Sequence, residues 1–351
     1  MFNLSERQRV LLSLIIHEYV RTANPVGSQN LVGNYKLDLS SATVRNEMTA
    51  LTEMGLLRQP HPSAGRVPTE EGYRYFVSSL IEDTTLPETT RGTITHQFYQ
   101  MRNDVDQWMR LAASVLAQQS KVASLITSPH PARARLKHVE IISTKGCQVL
   151  MVLVMYGGQI HQRIQSLTEP VTQEQLSTTA NELTQLLQGL EPDAISALIP
   201  KMTGLEQDMT GWILEEMTRS DRLITGEIYL DGFSNMLAEP EFAGSENARK
   251  ALQVLEERPK LENLLSRTVL NGTIGGVQVL IGGENAREEL RQCSIILARY
   301  GSPDLATGML GVMGPMRMSY GRSISVVRFV TGLLSDLVTE TLIDDETKSN
   351  S

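Results

Sequence analysis

The stretch 40–69, SSATVRNEMTALTEMGLLRQPHPSAGRVPT, decides the fold because it joins a capped helix to a short strand and a loop rich in proline and glycine. Ser40 and Ser41 are favoured N-cap residues, so the helix is expected to begin there. Its apolar residues recur at spacings of four and three, which is typical of a helix face buried against a core: Val44, Met48 and Leu51. The stretch therefore predicts an amphipathic helix followed by a hairpin.

The opposite face of this helix carries residues suited to reading DNA bases: Ala42, Arg45, Asn46 and Thr49. Arginine suits guanine, asparagine suits adenine, and the methyl groups of alanine and threonine suit the thymine methyl. In a recognition helix, the N-terminal residues lie nearest to the base edges. The alternative is an ordinary solvated surface, where most charged and amide side chains lie. The helix alone does not decide between the two interpretations.

The flanking segments favour the DNA-binding interpretation. Ser28 is expected to cap a short helix that Gly33 ends, which gives the spacing of a helix-turn-helix. Downstream, 56–58 predicts a strand, and the prolines and glycine of 60–65 predict a turn that projects outward. Arg66 is expected on that projecting tip, where it can contact phosphate or the minor groove. A further helix is expected from Thr69, so the hairpin would be anchored at both ends as a wing.

Several long strings now identify a family. PHPSAGRVPTEEGYRYFV (60–77) follows SSATVRNEM and precedes GGVQVLIGGEN (275–285) and GPMRMSYGR (314–322), and in this order they resemble the HrcA family of bacterial heat-shock repressors over nearly the whole chain. The resemblance implies a homodimeric repressor. Its operator would be the inverted repeat called CIRCE, upstream of chaperone operons. The chaperonin GroEL would keep the repressor active, and heat stress would relieve repression. Two distant cysteines fit a reducing cytosol, so we expect a cytoplasmic protein, and we expect no enzyme because no catalytic constellation is found in the sequence.

The residues expected to contact DNA divide into three groups. Arg45 and Asn46 would read bases, and Ala42 and Thr49 would support them. Ser41 and Arg66 would lie on the backbone or in the minor groove, with Thr43 in the same first turn of the helix. An Arg45 contact is expected to discriminate bases by about 1 to 3 kcal/mol.

The expected fold is α+β and multidomain, with an N-terminal winged helix-turn-helix and a GAF-like α+β domain that carries an inserted, largely helical dimerisation domain. The names GAF-like domain and dimerisation domain come from the resemblance. The limits are 1–81 for the winged helix, 82–92 for a linker, 93–167 and 264–343 for the GAF-like domain, 168–263 for the insertion, and 344–351 for an acidic tail.

The spacing of apolar residues predicts two features of the GAF-like domain, a strand meander and a long helix. Three strands at 139–143, 148–156 and 159–164 are expected to form a meander at its centre, and the apolar middle strand predicts burial on both faces. Apolar residues between Ile94 and Val115 alternate spacings of four and three. They predict one long helix, which either pairs with another helix or packs on its own domain's sheet.

The formal net charge of the 351 residues is -8, which is unexpected for a DNA-binding protein. Residues 1–81 hold eight Lys and Arg against seven Asp and Glu, a sum of +1, and the remainder holds 24 against 33, a sum of -9. The acidity therefore lies outside the expected DNA-binding domain. Affinity is expected to depend on a few placed arginines and on dimerisation.

No catalytic motif is found in the sequence: it has neither a phosphate-binding P-loop nor a G-x-S-x-G elbow. We expect no metal and no cofactor, since the histidines lack ligand spacing and the two cysteines, Cys147 and Cys293, lie far apart. Gly282–Asn285, Arg317 and Arg322 either contact a ligand or serve the structure. The alternative function is a small-molecule-sensing winged-helix regulator with a ligand pocket in the GAF-like domain.

Membrane insertion and secretion are not expected. The apolar run 149–156 is too short to span a bilayer. The charged and apolar start of the chain resembles a signal peptide but has no small-residue cleavage site, so it is interpreted as the first helix of the DNA-binding domain.

Overall fold

The structure is a computed structural model that describes residues 2–79, 85–101, 104–130, 134–156, 160–222, 227–242, 250, 253–255, 257, 260–261, 265, 274–285, 290–302 and 306–349. The chain forms two compact units. The first comprises Met1–Ser128, Ile228–Tyr300 and Met309–Leu337, and the second comprises Pro129–Glu227, Gly301–Gly308 and Val338–Ser351. Parts of the expected linker (82–84), of the expected insertion (243–249 and 262–263) and of the expected tail (350–351) lie outside the described residues.

The described α-helices, in chain order, are α1 Glu6–Thr22, α2 Ser28–Tyr35, α3 Ser41–Glu53, α4 Glu70–Ser79, α5 Glu88–Gln100, α6 Val105–Ser120, α7 Gln173–Leu187, α8 Pro192–Ser196, α9 Gly204–Arg222, α10 Phe233–Leu237 and α11 Tyr320–Ser349. The described strands are β1 Leu57–Arg58, β2 Val67–Pro68, β3 Ala123–Thr127, β4 Leu136–Ser143, β5 Gln148–Met155, β6 Ile160–Ser166, β7 Ile228–Asp231, β8 Val277–Ile281, β9 Cys293–Gly301 and β10 Thr307–Pro315.

The N-terminal winged helix is confirmed, in the order α1, α2, α3, β1, β2, α4. Ser40 caps α3 as expected, since its Oγ accepts from the Thr43 amide at 3.0 Å. A capping box between Ser5 and Gln8 starts α1. The apolar faces of α1 and α3 are buried and form the domain core: Leu11, Leu12, Ile15, Ile16, Val44, Met48 and Leu51.

The expected long helix after the DNA-binding domain is two helices, so that prediction is wrong. α5 ends at Gln100 and α6 starts at Val105, because the Asp104 side chain caps a new helix by accepting from the Gln107 amide at 3.1 Å. The expected linker to residue 92 is also too long, since Glu88 already begins α5 and Leu86 is buried. The described part of the expected linker, from residue 85, is therefore packed structure rather than a free hinge.

The first unit also contains a five-stranded sheet in the order β7-β3-β10-β9-β8. Its described pairs β7/β3, β3/β10 and β9/β8 are antiparallel, and α6 packs on β3. Nearly every residue of β9 and β10 is buried, so these two strands of the sheet are covered on both faces. Its strands come from three separate segments of the chain: β3, β7, and the run from β8 to β10.

The meander does not belong to this sheet, so its expected place at the centre of the GAF-like domain is wrong. β4, β5 and β6 form a separate three-stranded antiparallel sheet in the second unit, with α7 packed on β4. The main segment of the second unit, Pro129–Glu227, overlaps the expected insertion at 168–263 only in part, and it combines strands with helices. α11 continues to Ser349, so no separate tail begins at residue 344.

The middle strand of the meander is buried on one face only. Along β5, fully buried residues alternate with half-buried ones, because the α7 side of the sheet packs into a core that includes Met151 and Leu153. The opposite side is more exposed. The uniformly apolar residues of β5 therefore lie in two different environments, the core on the α7 side and a more exposed surface on the other side.

Candidate nucleic-acid interface

The N-terminal half of α3 presents four of the expected DNA-contacting residues on one exposed face. Ala42, Arg45, Asn46 and Thr49 are all exposed, at the i, i+3, i+4 and i+7 spacing of a single helix face. Within the described part of the chain, the side chains of Arg45 and Asn46 form no hydrogen bond or ion pair. Both are therefore available to a partner outside the chain.

The hydroxyl groups of Thr43 and Thr49 form hydrogen bonds within α3 and with its N-cap residue. Thr43 Oγ1 lies 2.9 Å from Ser40 Oγ, and Thr49 Oγ1 donates to the Arg45 carbonyl at 3.0 Å. The methyl group of Thr49 is then the part of its side chain available for apolar contact. Ser41 is the first residue of α3 and is half-buried. The main-chain amides of this first turn are a natural phosphate contact.

The wing is a two-residue ladder with a tight tip. Leu57 pairs with Pro68 and Arg58 with Val67. The Gln59 side chain donates to the carbonyls of Pro62 at 2.8 Å and Ala64 at 3.1 Å, which holds the tip closed. The residues exposed at and beside the tip are Arg58, Gln59, His61, Pro62 and Ser63.

Arg66 lies at the base of the wing, so its expected position on the tip is wrong. Its amide and carbonyl bond to the carbonyl and amide of Val26 at 2.8 and 2.9 Å. Its Nε donates to Thr52 Oγ1 at 3.1 Å. The half-buried guanidinium thus ties the wing to the recognition helix, and the tip forms several residues earlier in the chain.

Arg58 is a candidate contact that the sequence argument missed. It is the exposed residue of β1, next to the buried Leu57. The exposure of Arg58 could have been predicted from strand alternation, because a buried Leu57 directs the following side chain outward. Arg58 therefore supplies the wing with the cation that Arg66 was expected to provide.

Glu18 is a second residue that the sequence argument missed. Its carboxylate has a side-chain exposure of 9% and accepts from Arg21 at 2.7 Å, Asn34 at 3.2 Å and Tyr35 at 3.1 Å. The Arg21 hydrogen bond, together with those from Tyr35 and Asn34, holds the pKa of Glu18 below its ordinary value, although burial opposes this. The cluster fixes α2 against α1 and so sets the helix-turn-helix. The sequence does contain a signal for Glu18. It follows Ile15 by three positions, which places an acidic residue on the apolar face of α1.

Two carboxylates of the DNA-binding domain, Glu47 and Glu18, form ion pairs with residues of α1. Glu47, on α3, bonds to Gln8 at 3.1 Å and pairs with Arg7 at 3.5 Å, and Glu18 is occupied by Arg21. These carboxylates are turned toward neighbouring helices rather than toward the exposed α3 face. Among the four residues of the exposed α3 face, Arg45 is charged and none is a carboxylate.

The described residues contain little that would support a metal site, a reactive cysteine or a membrane span. No group of three or more His, Cys, Asp or Glu there is arranged to hold a metal ion. Burial raises the pKa of Cys293 to about 12, which makes it a poor nucleophile. No helix in the described part of the chain is long and apolar enough to cross a bilayer.

Comparison with known proteins gives the family. A family profile described as the winged helix-turn-helix transcription repressor, HrcA DNA-binding, matches residues 3–81, and one described as the HrcA protein C terminal domain matches residues 106–324. The chain belongs to the HrcA family. It is therefore a DNA-binding transcription repressor, a non-enzymatic class of protein, and DNA is its partner.

Relatives within the HrcA family align over almost their full length. The heat-inducible transcription repressor HrcA of Roseiflexus castenholzii is 39% identical over 96% of this chain and 95% of that protein, and that of Herpetosiphon aurantiacus is 40% identical over 95% of each. A crystal structure titled as a hypothetical protein at 2.2 Å resolution has a TM-score of 0.62 at 23% identity, and the match covers 97% of this chain and 100% of that one. The last comparison supports the fold.

Proposed function

We propose that this HrcA family member is a cytoplasmic, heat-inducible repressor that binds the CIRCE inverted repeat as a homodimer. The observation that carries the proposal is the exposed α3 face, where the side chains of Arg45 and Asn46 form no hydrogen bond or ion pair with the described residues. A repressor in which each subunit supplies one winged helix matches the two-fold symmetry of an inverted repeat.

The proposed base contacts follow from side-chain chemistry. Arg45 would bond to guanine and Asn46 to adenine, while the Ala42 and Thr49 methyl groups would contact thymine. In the first turn of α3, Ser41 would bind phosphate through its amide and Thr43 through its hydroxyl, because the Thr43 amide already donates to Ser40 Oγ. Arg66 would contact the DNA backbone or minor groove from the base of the wing, alongside Arg58.

The proposed dimer uses the open face of the three-stranded sheet, on the side away from α7. Cross-strand pairing places Ile142, Leu150 and Ile164 in one row, and it places His138, Val154 and Ile160 in another. Ile160 and Ile164 are 67% and 63% exposed. Aliphatic residues this exposed in adjacent strands are typical of an interaction surface. A second copy would cover this surface with the same residues, as two-fold symmetry requires.

The dimer proposal is tested by adding charge to the open sheet face. Ile164→Asp should convert the dimer to a monomer in sedimentation velocity, and it should weaken binding to a complete inverted repeat by roughly 10²-fold, because avidity is lost. Asn181→Asp is the matched control, since it adds the same charge to an exposed position of α7. A dimer that withstands Ile164→Asp excludes this face.

The domain roles and the heat response rest on the family resemblance. The five-stranded-sheet domain would be the GAF-like domain, and the unit near 129–227 would be the dimerisation insertion. The chaperonin GroEL would keep the repressor folded, and heat would draw the chaperonin away to unfolded proteins, so that repression is lost. A sensor of this kind needs only marginal stability, because its active fraction then depends on chaperonin supply.

The heat response is tested by mobility shift on a CIRCE duplex at rising temperature. GroEL with ATP should preserve the DNA-bound fraction at temperatures where the repressor alone loses it. Adding an unfolded competitor protein should then abolish that protection. If the temperature profile is the same with and without GroEL, the chaperonin is not the regulator.

The alternative function, a small-molecule sensor, has one observation in its favour. A cavity of about 650 Å³ in the first unit is lined by α1, α4, residues 85–90 and the start of α11, including Ile16, Phe76 and Arg322. This cavity does not lie within the five-stranded sheet, where the sensor interpretation expects its pocket. A metabolite that raises the melting temperature and changes operator affinity would favour this alternative.

A further inference from the structure

Arg317 connects the DNA-binding domain to the five-stranded-sheet domain. It lies in the turn between β10 and α11, and its side chain is only 10% exposed. Its Nη1 donates to the Val20 carbonyl at 3.1 Å, while Nε and Nη2 pair with the carboxylates of Glu241 and Glu239. One side chain thus joins three separate segments of the first unit.

The Val20 carbonyl is a suitable anchor for a cation. It belongs to the last turn of α1, where carbonyl groups lack a partner within the helix and carry partial negative charge. α1 is also the helix that α3 packs on. Arg317 is therefore attached to the helix on which the recognition helix packs.

A second contact joins the same two domains through α4. Glu70 accepts from the Gly283 amide at 3.2 Å, and the rings of Tyr73 and Tyr320 lie 5.8 Å apart. A Cβ on Gly282, whose φ is +57°, would lie 2.6 Å from the Glu70 carboxyl carbon. Only glycine fits this approach without displacing Glu70. The turn Gly282–Asn285 and Arg317 therefore serve the same domain contact.

The chemistry of Arg317 suits it to fixing an orientation. A planar guanidinium donates in fixed directions, so a carbonyl on one side and two carboxylates on the other constrain both rotation and translation. A lysine would carry the charge but could not reproduce this geometry. Two separate attachment points, at Arg317 and at Glu70, leave the winged helix little freedom to rotate about either one.

We propose that Arg317 is a positioning residue that fixes the orientation of the winged helix on the five-stranded-sheet domain, and that it thereby sets the half-site spacing the dimer accepts. The inference rests on the proposed dimeric binding to an inverted repeat. Base preference would depend on the side chains of α3 alone. Spacing preference would depend on Arg317 and, through the second contact, on Glu70.

The test compares DNA duplexes that differ only in spacer length. Affinities are measured by fluorescence anisotropy for a single half-site and for inverted repeats whose spacers differ in steps of one base pair. Inserting about two base pairs rotates one half-site by roughly 70°. The wild type should lose roughly tenfold or more in affinity at that step, because correct spacing is what gives the dimer its avidity.

Two variants and one control decide the outcome. Arg317→Lys and Glu70→Ala should each flatten the spacing profile to within about threefold, while half-site affinity and base preference stay at the wild-type level. Glu6→Ala is the control, because it removes an exposed carboxylate from α1 of the DNA-binding domain. It should keep the wild-type profile. If Arg317→Lys fails to fold by circular dichroism, Glu70→Ala carries the test.

The possible failures are distinguishable. Wild-type spacing profiles in both Arg317→Lys and Glu70→Ala would overturn the positioning role and leave the dimer proposal intact. A loss of half-site affinity equal to the loss on the full repeat would show a folding role instead. A wild type that binds no inverted repeat more tightly than a half-site would overturn the proposed operator recognition and this inference with it.

Discussion

Thr49 Oγ1 donates to the carbonyl of Arg45, one turn earlier in α3, at 3.0 Å. The hydroxyl is therefore used by the helix, and the methyl group is the part of Thr49 that can contact a base. Thr49→Val keeps a methyl group at this place and should retain operator affinity. Thr49→Ser keeps the hydroxyl and loses the methyl group, so it should bind several-fold more weakly at a thymine-containing position. Anisotropy titrations that give the reverse order would show that the hydroxyl contacts the DNA.

Arg45→Ala should weaken operator binding by about 1 to 3 kcal/mol and relax specificity at one base pair, because a bidentate contact to guanine is lost. The measurement is a gel-shift series over operators substituted at each position. Lys201→Ala is the control, since it removes an exposed cation from the second unit. Wild-type affinity and base preference in Arg45→Ala would remove Arg45 from the base-reading role.

The two wing arginines should behave as backbone contacts. Arg58→Ala and Arg66→Ala should each weaken all sequences by a similar factor and lower the slope of log affinity against log salt by about one. Thr52→Val removes the acceptor of Arg66 but keeps the guanidinium, so the salt slope should stay unchanged. A change in preference at a single base pair in either arginine variant would contradict a backbone role.

Glu18 should make the stability of the helix-turn-helix depend on pH. Because its hydrogen bonds, that of Arg21 foremost, lower the pKa of Glu18 in the folded protein, the ionised carboxylate stabilises the fold above the ordinary pKa of 4.5. This stabilisation is lost as pH falls through the lowered folded-state pKa. Urea unfolding should therefore show Glu18→Gln less stable than wild type at pH 7, and the difference should shrink below pH 4.5. An unchanged difference at low pH would show that the carboxylate charge is not involved.

Local signals in the sequence predicted the recognition helix well. The Ser40 cap and the spacing of Val44, Met48 and Leu51 depend on neighbouring residues, and the structure has both. The exposed face with Arg45 and Asn46 follows directly from that periodicity. These parts of the candidate site were therefore predictable from a short stretch.

Long-range pairings were not predictable in this way. Arg66 lies at the wing base because it bonds to Val26, forty residues earlier, whereas proline and glycine content marks a turn without locating its tip. The strands at 136–166 were found, but no local pattern states which sheet a strand joins. The contacts of Arg317 with Val20 and Glu241 connect distant segments, so the sequence left its role open between ligand binding and structure.

The central claim is sequence-specific DNA recognition by the α3 face, and a competition measurement tests it most directly. The purified protein is titrated onto a labelled CIRCE duplex at physiological salt, against unlabelled CIRCE and against a duplex of the same composition with both half-sites scrambled. CIRCE should compete roughly 10³-fold or more better than the scrambled duplex. Equal competition by the two duplexes would contradict the account.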